Sequence, residues 1–197
     1  MAKLFFRYGT MDSSKTANLI MVDYNYREQG KRSVILKPVL DTRSGQHKVK
    51  SRLGVEADCI DVTDQDNLEE LLEQMVARSP VDCVLVDECQ FLSAHHVEEL
   101  ARVVDKLDIP VICYGLKNSY VKGHLFEGSR ALLYYADSIE EVKTICTYCS
   151  RKATMNLRVM GGRPVYSGNP VQVGDIDAQS AEYYIPVCRR HYFAPKL

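Results

Sequence analysis

Three segments of this chain, SVILKP from Ser33, VDCVLVDE from Val81 and IPVICYGL from Ile109, are compact apolar runs rich in β-branched residues. Segments of helical periodicity lie among them. A strand that is apolar on both sides must be covered on both faces, and parallel sheets meet this condition because their crossover helices lie on the faces. The pattern predicts an α/β fold with a mostly parallel sheet and flanking helices.

The surrounding segments fit that plan. LFFRYGT, from Leu4 to Thr10, reads as a short buried strand running into a loop, and Ser14 to Gly30 follows at near-helical spacing with a glycine stop. CIDV from Cys59 is a further strand. NLEELLEQMVARS is a helix with Leu68, Leu71, Leu72, Met75 and Val76 on one face, and Ala94 to Leu107 is another. After Lys143 the texture changes to paired cysteines, adjacent glycines and the segment PVYSGNPVQVGD. We therefore expect an α/β domain over residues 1–143 and a small module of loops and short strands over 144–197.

Composition limits the partners. With 25 Lys+Arg against 26 Asp+Glu, the net charge of −1 gives no general attraction to nucleic acid or to an anionic membrane, although a small polyanion at one local site remains allowed. The N-terminus is apolar for only a few residues before Arg7, too short for a signal peptide. No stretch approaches the roughly 20 apolar residues of a membrane span. These features imply a cytoplasmic protein. Of seven cysteines, Cys59, Cys83, Cys89 and Cys113 stand singly in or beside apolar runs, as buried free thiols do.

Between the first strand and first helix lies Gly9-Thr10-Met11-Asp12-Ser13-Ser14-Lys15-Thr16. Lys15 and Thr16 stand where the phosphate-loop pattern places its lysine and hydroxyl, but its second glycine is Ser14. Such a loop curls backbone N–H groups around phosphate oxygens, adds a lysine as point charge and supplies a hydroxyl to Mg²⁺. The same octamer also suits an ordinary capped helix start with an exposed lysine. A Cβ at position 14 would matter where the backbone needs an unusual dihedral.

VDCVLVDECQFL is apolar until Asp87-Glu88, and the carboxyl end of a buried strand is where nucleotide-binding sheets place acidic groups. Asp87 there can hold Mg²⁺ while Glu88 takes the proton of an acceptor hydroxyl. A strand ending in solvated charges would look the same. Cys146-x-x-Cys149 and Cys188-x-x-His191 form two chelating pairs. Three sulfurs and one imidazole fill a tetrahedral Zn²⁺ shell with no open position, which makes the ion structural. A disulfide or free thiols are the alternatives. His47, His95, His96 and His124 have no such partners and read as surface or loop residues.

The order GTMDSSKT, DTR at Asp41 to Arg43, DECQF at Asp87 to Phe91, GLKNSYVKGHLFEGS at Gly115 to Ser129 and then the metal-ligand pairs resembles the type II thymidine kinases. The resemblance covers nearly the whole chain. It implies a phosphate-loop, RecA-like sheet, ATP and Mg²⁺ as cofactors, a structural Zn²⁺, thymidine as substrate and a homotetramer. Glu88 falls on the family's general base, and Asp41 and Arg43 serve the Mg²⁺–phosphate region. Without the resemblance, DTRSGQHKVKSR reads as a mobile basic loop.

The family's base pocket falls on Met11, Phe91, Leu116, Tyr120 and Tyr184. Its substrate-covering lasso falls on VQVGDIDAQSAEYY, with backbone contacts at Val173 and Gly174. Tyr120 stands where many members have Phe, and the lasso is longer here than in relatives. Two other readings follow from the residues alone: a phosphate-loop kinase with another acceptor, and a non-catalytic nucleotide-binding or zinc-ribbon protein with a degraded loop at Ser14.

Overall fold

The computed structural model describes residues 1–41, 45–170 and 182–196. Strand β1 (Leu4–Tyr8) leads into α1 (Lys15–Glu28), followed by β2 (Ser33–Pro38), the short strands β3 (Lys48–Lys50), β4 (Glu56–Asp58) and β5 (Ile60–Val62), and α2 (Leu68–Arg78). Next come β6 (Cys83–Val86), a 3-10 turn at Cys89–Phe91, α3 (Ala94–Leu107), β7 (Val111–Gly115), α4 (Glu127–Tyr135) and β8 (Ser138–Glu141). The chain continues with β9 (Met155–Met160), β10 (Arg163–Val165), β11 (Glu182–Val187) and α5 (Arg189–Phe193).

Six strands form one sheet in the order β5-β2-β6-β7-β1-β8, and every pairing in it is parallel. Its strands alternate side chains between two cores, as a period of two requires. Val34, Leu36, Val84, Val86, Val111 and Cys113 face a cluster with Leu72 of α2, Leu100 of α3 and Leu132 of α4. Ile35, Cys83, Leu85, Ile112 and Tyr114 face the other side, where Leu19 of α1 and Val49 of β3 cover them. Fully burying one such aliphatic side chain contributes roughly 1.5–3 kcal/mol, so the two-sided burial explains why the strands contain so few polar residues.

Helix starts follow their caps. Asn67 accepts from the Glu70 N–H at 2.8 Å and Ser93 from the His96 N–H at 3.1 Å, which satisfies donors that the first turns leave open. His96 departs from the sequence expectation of a surface histidine: it is 2% exposed, with Nε2 3.0 Å from the Asp66 carbonyl. Part of the expected basic loop is also ordered, because Lys48–Lys50 pair antiparallel with Glu56–Asp58.

The C-terminal sheet is antiparallel, β10-β9-β11, and packs a small core of Leu157, Val159, Val187 and Tyr192 beside Cys146 and Cys188. No helix among the described residues is long and apolar enough to cross a membrane.

Candidate active site

The loop after β1 and the acidic residues after β6 leave the sheet at its carboxyl end, where β7 separates the two strands. The octamer forms a tight turn. Gly9 donates its N–H to the Gly115 carbonyl at 3.1 Å, and a Cβ on Gly9 would collide with the Ser13 side chain and the Val142 carbonyl. Thr10 offers its carbonyl to Lys15 Nζ at 2.7 Å and to Ser13 Oγ at 2.8 Å, so the buried lysine folds back over the loop. The hydroxyl of Thr10 is buried with no hydrogen-bond partner among the described residues.

Ser14 has φ 59° and ψ 25°, the left-handed region that a glycine enters freely. Asp12 lies there too, at φ 59°. For an L-residue this region costs roughly 1–2 kcal/mol, partly offset because glycine loses more backbone entropy on folding, by about 0.5–1 kcal/mol. Ser14→Gly is therefore expected to raise the thermal midpoint by roughly 1–4 °C, with activity equal to or above that of the parent. A lower midpoint in differential scanning calorimetry would refute the strain at this residue.

Thr16 Oγ1 donates to the Asp87 carboxylate at 2.9 Å, joining the loop to the acidic strand end. Burial lifts the Asp87 carboxyl well above the ordinary range, and the negative charges of Glu88 and Asp41 add to this; the Thr16 hydroxyl and Lys15 oppose it. Asp87 and Asp41, with the Thr16 hydroxyl beside them, are oxygen donors of the kind that suit a hard divalent cation such as Mg²⁺. Glu88 follows with φ 49° and ψ 39°, again left-handed, and its carboxylate accepts from Gln90 Nε2. Gln90 is 2% exposed and accepts the Leu116 N–H at 2.9 Å through its other amide atom, so it both orients Glu88 and fixes the start of the Leu116 segment.

One cavity of about 580 Å³ unites these parts, with Met11 to Thr16, Asp41, Asp87, Glu88 and Leu116 on its walls. Ala17, Lys50, Ser51, Arg52, Leu53 and Gly54 complete it. Arg52 ion-pairs with Asp12, and burial pulls its guanidinium below the ordinary arginine range, against the charge of Glu88. Sequence reasoning missed Gln90 and Arg52, although both lie inside segments that drew attention for other residues.

Of the expected base-pocket residues, Met11 and Leu116 line this cavity. Tyr120 and Tyr184 meet edge to face with ring centroids 5.8 Å apart, and Phe91 packs in the same manner on Phe126 at 5.8 Å. Arg158 lies over the Tyr120 ring at 4.9 Å and donates to its hydroxyl at 2.7 Å. Arg43, Val173 and Gly174 lie outside the described residues.

Cys146, Cys149, Cys188 and His191 bring their ligand atoms within 4.8 Å of one another. A tetrahedron built from the usual Zn–S and Zn–N lengths has S–S edges of about 3.8 Å and S–N edges of about 3.6 Å. Here Cys149 and Cys188 sulfurs are 3.9 Å apart, and His191 Nδ1 is 3.4 Å from Cys146 and 3.5 Å from Cys188. Burial opposes ionisation of Cys146, but the N–H groups of Cys188 and Tyr148 and the His191 side chain bring its thiol down to about 6, and the thiolate is the form that binds metal. The tetrad fits a closed zinc site.

A phosphate loop, an acidic strand end joined to it by a hydroxyl and a single cavity over both define a nucleotide-dependent phosphotransferase. The sequence profile of the family described as Thymidine kinase matches residues 2–192. Thymidine kinases of Enterococcus faecalis (52% identical, 97% of that protein covered), Streptococcus gordonii (49%, 99% covered) and Lactobacillus acidophilus (48%, 99% covered) each align with 100% of this chain. The chain belongs to the thymidine kinase family.

Proposed function

We propose that this chain transfers the γ-phosphoryl group of ATP to the 5′-hydroxyl of thymidine, yielding ADP and thymidine 5′-phosphate. The observation that carries the reading is the shared cavity of the phosphate loop and Glu88, tied together by Thr16 and Asp87. As the alcohol oxygen bonds to the γ-phosphorus, the bridging P–O bond to the β-phosphate breaks, ADP leaves and the alcohol proton passes to Glu88. Gly9, Thr10, Met11, Asp12, Ser13 and Ser14 supply the loop around the phosphates, and Lys15 adds a fixed positive charge. Thr16, Asp87 and Asp41 would hold Mg²⁺, which supplies charge neutralisation on the phosphates when bound.

Arg43 supports the equatorial oxygens in the transition state, as an arginine that never loses its proton can. Met11, Phe91, Leu116, Tyr120 and Tyr184 wall the thymine, with Val173 and Gly174 of the lasso closing over it. In this reading residues 1–143 carry the phosphate chemistry and 144–197 the zinc and the lasso, in a cytoplasmic homotetramer.

Purified protein supplied with ATP and Mg²⁺ is expected to phosphorylate thymidine and deoxyuridine, with deoxycytidine and ribonucleosides at least ten-fold poorer by kcat/KM. A reversed order would assign the fold to another acceptor. The non-catalytic reading draws on the strained Ser14: binding of ATP and thymidine without any monophosphate, in the parent and in Ser14→Gly, would replace the kinase reading with it.

A further inference from the structure

We propose that Asn156 is a positioning residue that spaces the nucleoside pocket from the phosphate loop, its single amide bracing Met11 on one side and Asn118 on the other. The role is framed within the kinase reading above. Asn156 lies on β9, 2% exposed. Its Oδ1 accepts the Met11 N–H at 2.8 Å, and its Nδ2 donates to the Asn118 carbonyl at 3.0 Å. Met11 is the third residue of the phosphate loop, and Asn118 lies between Leu116 and Tyr120 on the segment that walls the nucleoside.

The residue type is demanded by the geometry. A short side chain with one acceptor and one donor is needed, and Asp would keep only the acceptor while Leu would keep neither. Glutamine would carry both groups one methylene too far. Because a buried amide left without its partner is costly, the two backbones stay at the separation that this side chain sets.

The brace is anchored from behind. Asn156 is paired with Pro186 of β11, two residues before the zinc ligand Cys188, and the neighbouring Thr154 N–H bonds the Val187 carbonyl at 2.9 Å. Asn156 thus connects the sheet beside the cysteine–histidine tetrad to a loop 145 residues earlier in the chain. Phosphoryl transfer needs the alcohol oxygen in line with the γ-phosphorus, and displacement by about 1 Å can cost on the order of 100-fold in rate.

The test uses Asn156→Leu and Asn156→Asp in the full chain. For Asn156→Leu we expect kcat to fall about 10- to 100-fold and the ratio of ADP to nucleoside monophosphate to rise above one. Water then replaces the misplaced alcohol: its oxygen bonds to the γ-phosphorus, ADP leaves, its protons pass to Glu88 and solvent, and inorganic phosphate appears. In the nucleotide-free protein the Met11 amide should exchange with deuterium at least ten-fold faster in Asn156→Leu and at the parent rate in Asn156→Asp, both retaining their zinc.

Parent-like kcat with a product ratio of one in Asn156→Leu would overturn the proposal, as would an unchanged Met11 exchange rate. Should Asn156→Leu fail to fold, Asn156→Asp decides alone: a product ratio above one supports the brace, and a ratio of one overturns it. A parent that makes no monophosphate would defeat the kinase reading, whereas the exchange rates would still decide whether Asn156 braces the loop.

Discussion

Glu88→Gln is expected to lower kcat about 1,000-fold or more while thymidine and ATP dissociation constants change less than about three-fold, since a positioned general base contributes on the order of 100- to 10,000-fold. The substitution preserves shape. Gln90 can still donate to a carbonyl at position 88 as it does to the carboxylate now, so the Leu116 segment keeps its tether. What disappears is the proton acceptor beside the phosphate loop. Removing that charge also relieves Asp87, whose carboxyl Glu88 helps to hold high, so cation binding should not suffer. Rapid-quench kinetics paired with calorimetric titration separates the two quantities, and parent-like turnover would remove Glu88 as the base.

Stripping zinc with a strong chelator is expected to weaken thymidine binding at least ten-fold while most of the far-UV helical signal survives. The buried cluster of the C-terminal sheet is small, Leu157, Val159, Val187 and Tyr192, and two of the tetrad's cysteines, Cys146 and Cys188, belong to it. Structural zinc contributes on the order of 10–16 kcal/mol in small metal-dependent folds, so its loss falls hardest on this cluster. Tyr184, proposed above as a wall of the nucleoside site, lies on β11 four residues before Cys188, so on that reading the wall loosens with the metal. Helices α1 to α4 belong to the parallel sheet and keep their own two cores. Unchanged thymidine affinity in protein shown to be zinc-free would break the coupling.

The parts legible in the sequence share one property: their signal is local. Apolar runs announced β2, β6 and β7, and an ordered octamer and two chelating pairs announced the loop and the metal tetrad. Helix α4 was illegible because its Gly128 reads as a breaker, yet a Cβ there would collide with the carbonyls of Cys89 and Leu92 under the helix. Strand β8, SIEE, is polar and partly exposed because it lies at the sheet's edge, where period and burial no longer coincide. Gln90, Arg52 and Asn156 carry ordinary residue types whose importance comes only from what folding brings beside them. His96 looked like a surface residue for the same reason.

The buried thiols divide the chemistry of the whole chain. Burial drives Cys59 to about 12 and Cys83 to about 11, and pushes Cys89 and Cys113 well above the usual thiol range. At cellular pH these four sulfurs stay protonated and out of reach of electrophiles, since only the thiolate attacks. Among the cysteines, alkylating agents are left with the zinc-fitting tetrad, where Cys149 is partly exposed and the Cys146 thiol is brought down to about 6, so thiol modification enters this molecule through the antiparallel sheet rather than through the parallel one.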